Sequence, residues 1–268
     1  MMMTGPKAIF CIDIDGTLID SQEQVHPNDA KILKHFPREI QLVITTGRIL
    51  HSAKGVLREN GLFTDLHFPL PGVFMNGGVA YLPKEKLCVQ HSFTKDIRQV
   101  LLALPKSFPE TAFMFFTISD VYLVNPTLFG HHISRLHYLE ARDAKPEEIP
   151  DRIIKVMVLE ENTQILNQIK VKTLMWDAEM AFSLPFAYEI NPPNITKANT
   201  LSKLLKTMGL KELPVFVVGD GENDLSLFQL AKQSFAPTTA HPAVLDRADH
   251  IIQRENKGLL EPILLEIN

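Results

Sequence analysis

Short apolar runs that each stop at a polar residue beside a glycine constrain this chain more than any other feature. Residues 8–14 read AIFCIDI and lead into Asp15-Gly16-Thr17. Ile40–Thr45 reads IQLVIT and leads into Thr46-Gly47-Arg48; residues 72–75 lead into Asn76-Gly77-Gly78. Residues 214–218 read PVFVV and lead into Gly219-Asp220. Runs of this length, rich in β-branched and aromatic residues, predict buried strands. Between them lie helical patterns: residues 27–36, a segment ending at Glu59 before Asn60-Gly61, and a stripe of Ala198, Leu201, Leu204, Leu205 and Met208. Strand alternating with helix predicts an α/β fold, a Rossmann-like doubly wound parallel sheet.

The middle of the chain has another texture. A helix carrying Ile97, Val100, Leu101 and Leu104 is followed by strands at 113–118 and 121–124, joined through Ser119-Asp120. A strand at 153–159, a helix at 163–169 and short strands at 174–176, 181–184 and 187–190 follow. Hairpins with occasional helices predict an inserted α+β module. The division expected is a core of 1–81 and 186–268 with an insert of 82–185. The tail of the core adds a helix marked by Leu225, Phe228 and Ala231, strands at 234–236 and 250–252, and a helix at 258–267.

Composition narrows the function. A net charge of −4 over 268 residues, with no basic run, excludes an electrostatic grip on nucleic acid. No apolar stretch approaches ~18 residues, so no membrane span is expected. The opening MMMTGPK lacks a signal-peptide core, which makes a soluble cytoplasmic protein the expectation. The two cysteines, Cys11 and Cys88, form no metal or redox pattern. His131, His132 and His137 offer no i,i+4 pair for zinc. Walker A and G-x-S-x-G sequences are absent.

In an open α/β sheet, ligands bind beyond the carboxyl ends of the strands. There this chain places Asp13 and Asp15, Thr46, Asn76, and Asp220 with Asn223 and Asp224; Lys197 opens a helix. Two carboxylates spaced by two residues repel unless a cation intervenes, and Mg²⁺ suits oxygen ligands. Each feature has a plainer alternative. Asp-Gly makes hairpin turns, Thr46 and the GDGEND acids cap helices, Asn76 is a turn residue, and a lysine is usually exposed. GDGEND also begins like a dinucleotide fingerprint, but Asp224 stands where the third glycine belongs. A lysine at a helix start opposes the dipole, which makes an anionic partner for Lys197 reasonable.

Taken in order, DIDGT, TTGR, a lysine before a helix and GDGEND resemble the four motifs of the haloacid-dehalogenase-like superfamily. The insert is similar to the cap of its Cof-type sugar-phosphatase branch. That resemblance implies a Mg²⁺-dependent phosphatase acting on a small phosphorylated metabolite such as a sugar phosphate. Asp13 would be the nucleophile, forming an aspartyl phosphate. Asp15 would be acid and then base, its main-chain carbonyl on the metal beside Asp13 and Asp220. The Ile14 N–H, Thr46, Gly47, Lys197 and Asn223 would hold phosphate, and Asp224 would support Lys197 or a metal-bound water. The cap would close over the site and select the leaving group; Phe115, Tyr122, Tyr138 and Arg142 are cap residues that could face it or serve the core. FAPTTAHPAV departs from the Cof-like pattern, with Thr239 in place of the usual Asn. A phosphomutase on the same core, or a non-catalytic sensor of a phosphorylated ligand, are the alternative functions. Oligomeric state is not legible.

Overall fold

The computed structural model describes residues 5–63, 68–83, 87–118, 120–255 and 257–267. Met1–Met3 and Ser119 lie outside the described residues. By contact the chain splits into two compact units, Met1–Cys88 with Thr196–Asn268, and Val89–Ile195. No helix among the described residues is long and apolar enough to cross a membrane.

The first unit is built on an eight-stranded sheet. Its strands are β1 (Ala8–Ile12), β2 (Ile40–Thr45), β3 (Gly72–Phe74), β4 (Val79–Leu82) and β5 (Leu87–Gln90). To these the chain later adds its last three strands. The second unit holds β6 (Ala112–Phe116), β7 (Val121–Val124), β8 (Arg142–Asp143), β9 (Lys155–Leu159), β10 (Glu179–Leu184) and β11 (Ala187–Asn191). The returning core strands are β12 (Val215–Val218), β13 (Gln233–Pro237) and β14 (His250–Ile252). Order in the core sheet is β14-β13-β12-β1-β2-β3-β4-β5. From β14 to β3 all pairs are parallel; β3 and β4 pair antiparallel.

β1 is therefore the strand from which the chain winds both ways: β2 and β3 on one side, β12 to β14 on the other. The registers Ile12↔Ile44 and Ile12↔Val218 bring the carboxyl ends of β1, β2 and β12 level. This is the topological switch point at which doubly wound sheets bind ligands. Burial explains the apolar runs: Ile9, Phe10, Cys11 and Ile12 have no exposed surface.

The helices follow the expected pattern except at residues 128–136 and 242–245, for which the sequence reading gives none. They are α1 (Pro27–Lys34), α2 (Leu50–Glu59), α3 (Lys95–Ala103), α4 (Leu128–Leu136), α5 (Thr163–Thr173), α6 (Lys197–Thr207), α7 (Leu225–Phe228), α8 (Pro242–Leu245) and α9 (Leu260–Ile267). Asp29 on α1 is buried, and its carboxylate accepts the N–H groups of Leu259 and Leu260 where α9 begins. It thus caps a helix that lies more than two hundred residues away in sequence. Gly258, at φ +71°, is needed beside it: a Cβ there would stand 2.5 Å from Asp29 Oδ1.

The second unit is an α+β module. Its sheet runs β10-β11-β9-β6-β7-β8, antiparallel except for β7 with β8. Phe113, Phe115, Val156, Val158, Tyr188 and Ile190 alternate onto one face and pack with Leu101 and Leu104 of the α3 segment and Leu166 and Ile169 of α5. Tyr122 belongs to the same core, as does Phe115.

Two readings of the sequence differ here. Residues 174–176 are not a strand: they are the turn that ends α5, with Leu174 and Met175 largely exposed. Three consecutive apolar residues imitate a strand, but no neighbour is available to pair with them. The boundaries fall at 88/89 and 195/196, where 81/82 and 185/186 were expected. The second moves because β11 pairs with β9 and β10 and so belongs to the insert.

Asp29→Ala should lower the unfolding free energy by about 1–3 kcal/mol, since two buried N–H groups lose their acceptor. A urea midpoint unchanged from wild type would show that the cap is dispensable.

Candidate active site

Lys197 is the first residue of α6. Thr196 caps that helix, its hydroxyl accepting the Asn199 N–H at 3.1 Å. The lysine side chain is fully buried, so it is not an ordinary surface cation. Its Nζ donates to Asp13 Oδ1 and to Asp224 Oδ1, each at 2.7 Å. Burial alone would favour the neutral amine; the carboxylates of Asp13 and Asp224 outweigh it and raise the pKa above the ordinary lysine value.

Asp13 leaves β1 with its N–H on Val218 O at 3.1 Å, which ties it to β12. Asp224 is wholly buried, and its second oxygen accepts the N–H groups of Asp220 and Gly221 at 3.1 Å each. Asp224 thus holds the lysine with one oxygen and shapes the GDGEND turn with the other. Gly219 is required underneath, for a Cβ there would lie 2.5 Å from the Asp224 carboxyl carbon.

Asp220 completes the cluster. Thr17 donates its hydroxyl to Asp220 Oδ1 at 2.9 Å, and His241 N–H donates to the Asp220 carbonyl at 2.9 Å. The loop holding Thr239 therefore braces Asp220 through a main-chain bond. Gly16, at φ +68°, passes so close that a Cβ would stand 2.0 Å from Asp220 Oδ2. The DIDGT turn is thus a close approach to a second carboxylate, and the Arg254 guanidinium fixes it by donating to Gly16 O at 2.9 Å.

Oxygens of Asp13, Asp220 and Asp224 lie within 4.8 Å of one another. One ammonium among three carboxylates leaves negative charge in excess. Burial pushes Asp13 well above the usual carboxylate range, with Asp224, Asp220 and Asp15 adding to it and Lys197 opposing. Burial, then Asp224, pushes Asp220 up to about 6. An anionic, all-oxygen donor set of this kind fits a hard divalent cation. Asp15 is not part of that trio.

The Asp15 carboxylate instead meets Arg48. Nε donates to Oδ2 at 2.9 Å and Nη2 to Oδ1 at 2.6 Å. Nη1 donates to Ser52 Oγ at 3.2 Å, and Nη2 also reaches Glu23. In the sequence the hydroxyl and N–H groups of Thr-Gly-Arg stand out, and no spacing marks the arginine side chain. Nor does any spacing mark Thr17, Glu23 or Arg254. Only Thr17 lies within the DIDGT motif, and a hydroxyl beside Asp-Gly carries no distinctive spacing.

Thr46, Gly47, Asn76 and Asn223 form a second connected group. Thr46 is buried, and its hydroxyl accepts the Arg48 N–H at 3.1 Å. It stabilises this turn without capping α2, whose cap position is Ile49. Asn76, at φ 55°, accepts from Asn223 Nδ2 at 3.0 Å, and a Cβ on Gly47 would lie 3.0 Å from the same oxygen. Asn76 is therefore more than a turn residue: it joins the ends of β2, β3 and β12. Ile14, also buried, sits between the two aspartates of the motif.

Lys197→Met and Asp224→Asn should be strongly non-additive in a double-mutant cycle, with a coupling of about 1–3 kcal/mol. Additive losses in guanidinium unfolding would mean that the two groups do not hold one another.

Known proteins bear on this geometry. The chain is 27% identical over 279 residues to the chloroplastic endoribonuclease YBEY of Arabidopsis thaliana, covering 95% of this chain but only 45% of that protein. It is 25% identical over 259 residues to the putative phosphatase YxeH of Bacillus subtilis, covering 93% and 94% of the two chains. A solved haloacid dehalogenase-like hydrolase from Bacteroides thetaiotaomicron superposes with a TM-score of 0.81 at 20% identity, over 97% of this chain and 99% of that one. The sequence model of the haloacid dehalogenase-like hydrolases matches residues 10–262. With a match across nearly its whole length and a carboxylate cluster at the switch point of a doubly wound sheet, this chain belongs to the haloacid dehalogenase-like hydrolase family.

Proposed function

We propose that the protein is a Mg²⁺-dependent phosphatase that hydrolyses a small phosphorylated metabolite, such as a sugar phosphate, through an aspartyl phosphate on Asp13. The observation that carries this reading is the shared ammonium: Lys197 Nζ lies 2.7 Å from both Asp13 and Asp224, with the Asp220 carboxylate in the same cluster. A purely binding site gains little from packing acids against one another at the place where an anion would dock. A nucleophilic carboxylate needs its charge offset, and Lys197 does that. Mg²⁺, when bound, supplies further positive charge that lessens the repulsion between substrate and carboxylates. Asp13, Asp220 and the main-chain carbonyl of Asp15 are the groups that would hold it. The phosphatase name of the Bacillus relative agrees with this chemistry.

Two half-reactions follow. An Asp13 oxygen attacks phosphorus, the bond from phosphorus to the leaving oxygen breaks, and Asp15 gives that oxygen a proton. Asp15 then takes a proton from water, the water oxygen attacks phosphorus, the bond to Asp13 breaks and inorganic phosphate leaves. Splitting the displacement in this way replaces one hard step by two easier ones. The phosphate oxygens are held by Lys197, Asn223, Gly47, the Ile14 N–H and Thr46. The Thr46 hydroxyl accepts from Arg48, which leaves its own proton free to donate. Positioned donors of this kind stabilise a loose, charge-dispersed transition state.

Asp13→Asn should cut phosphate release from an aryl or sugar phosphate by at least about a thousandfold while the unfolding midpoint stays near wild type. Release at the wild-type rate would remove Asp13 as nucleophile. Exhaustive EDTA treatment should abolish turnover and added Mg²⁺ should restore it. Full activity in EDTA would take the metal out of the account.

A further inference from the structure

Glu23 lies in the short loop that follows DIDGT. Its backbone is in the left-handed region, at φ 57°, which long L side chains seldom adopt. The loop does not rely on the Glu23 side chain to hold its shape. Asp20 Oδ1 accepts the N–H groups of Gln22 and Gln24 at 2.8 and 2.9 Å. Asn60, at the end of α2, clamps the loop from outside: Nδ2 donates to Glu23 O at 2.9 Å, and Oδ1 accepts the Val25 N–H at 2.8 Å. What these bonds do is aim the Glu23 carboxylate at Arg48.

There it shares one nitrogen with Asp15. Nη2 of Arg48 donates to Asp15 Oδ1 and to Glu23 Oε1, while Nη1 is anchored on Ser52. The arginine and Glu23 side chains are 6% and 19% exposed, against 49% for Asp15. The carboxylate proposed to move protons is thus the most exposed member of the triad. An aspartate with both oxygens accepting from a guanidinium must leave that pair and take up a proton from water before it can give one to a leaving group. Its departure takes the Asp15 oxygens away from the Nε–H and one Nη2–H, and Glu23 is the carboxylate that still balances the buried guanidinium charge.

We infer that Glu23 is a positioning residue: its carboxylate keeps the Arg48 guanidinium paired and in place when Asp15 leaves, and so frees Asp15 for proton transfer to the leaving group. This rests on the phosphatase reading above. The effect should grow with the basicity of the leaving oxygen, because nitrophenolate departs readily without a proton and phenolate does not.

The test compares kcat/KM for phenyl phosphate and p-nitrophenyl phosphate, a parameter that reports the steps through departure of the leaving group. In the full-length protein, Glu23→Ala should lower the value about tenfold for phenyl phosphate and less than about threefold for p-nitrophenyl phosphate. Glu23→Gln, which retains an acceptor oxygen, should recover most of the loss. The ratio of the two values does not depend on the fraction of enzyme that is folded. Equal losses on both substrates, or a Glu23→Gln variant as impaired as Glu23→Ala, would overturn the assignment. Wild-type enzyme inert toward both substrates would instead sink the phosphatase reading itself.

Discussion

One buried ammonium group organises the core of this protein. Lys197 Nζ lies between Asp13, at the end of β1, and Asp224, in the turn after β12. A buried cation with fewer partners would be costly, and buried carboxylates without it would cost more. The lysine and its two acids therefore form one charge-balanced unit. Because Asp224 also receives two main-chain N–H groups, the lysine's position is transmitted to the backbone on which Asp220 sits. Charge balance and chain path are here one constraint.

The sheet makes that constraint possible. Parallel pairing of β1 with both β2 and β12 brings three strand ends level, so residues far apart in sequence need only short side chains to meet. Glycines complete the approach. Gly16 and Gly219 let carboxylates of Asp220 and Asp224 pass at distances that no side chain would permit. The site is thus held by regular structure on one side and by the absence of Cβ atoms on the other. The Asn76–Asn223 bond then links the end of β3 to the same turn.

Much of this was legible in the sequence, for a physical reason. Buried parallel strands are continuous apolar runs, so their ends are visible, and at such ends ligand-binding residues gather. The strand ends that carry Asp13, Thr46, Asp220 and Asp224 are visible in this way, and the α/β core with its α+β insert can be read from alternating periodicities. Lys197 stands out in the sequence because a cation opposes the helix dipole and because its place fits the third motif; its burial is not visible there. Arg48 and Glu23 escaped because their meeting depends on a loop conformation set by Asp20 and Asn60, and no spacing rule encodes it. The apolar residues 174–176 misled in the other direction, because pattern alone cannot tell a strand from an exposed turn without a pairing partner.

The split arrangement of the core bears on how the chain is made. On the ribosome, β1 emerges with β2 soon behind it, but Lys197 follows Asp13 by 184 residues. At typical elongation speeds of ~5–20 residues per second, that delay is roughly 10–40 seconds. Throughout it the strand bearing Asp13 has one flank open. The intervening residues, with an apolar core of their own, can fold during the wait. The order of the strands thus leaves β1 paired on one side only until β12 has been made.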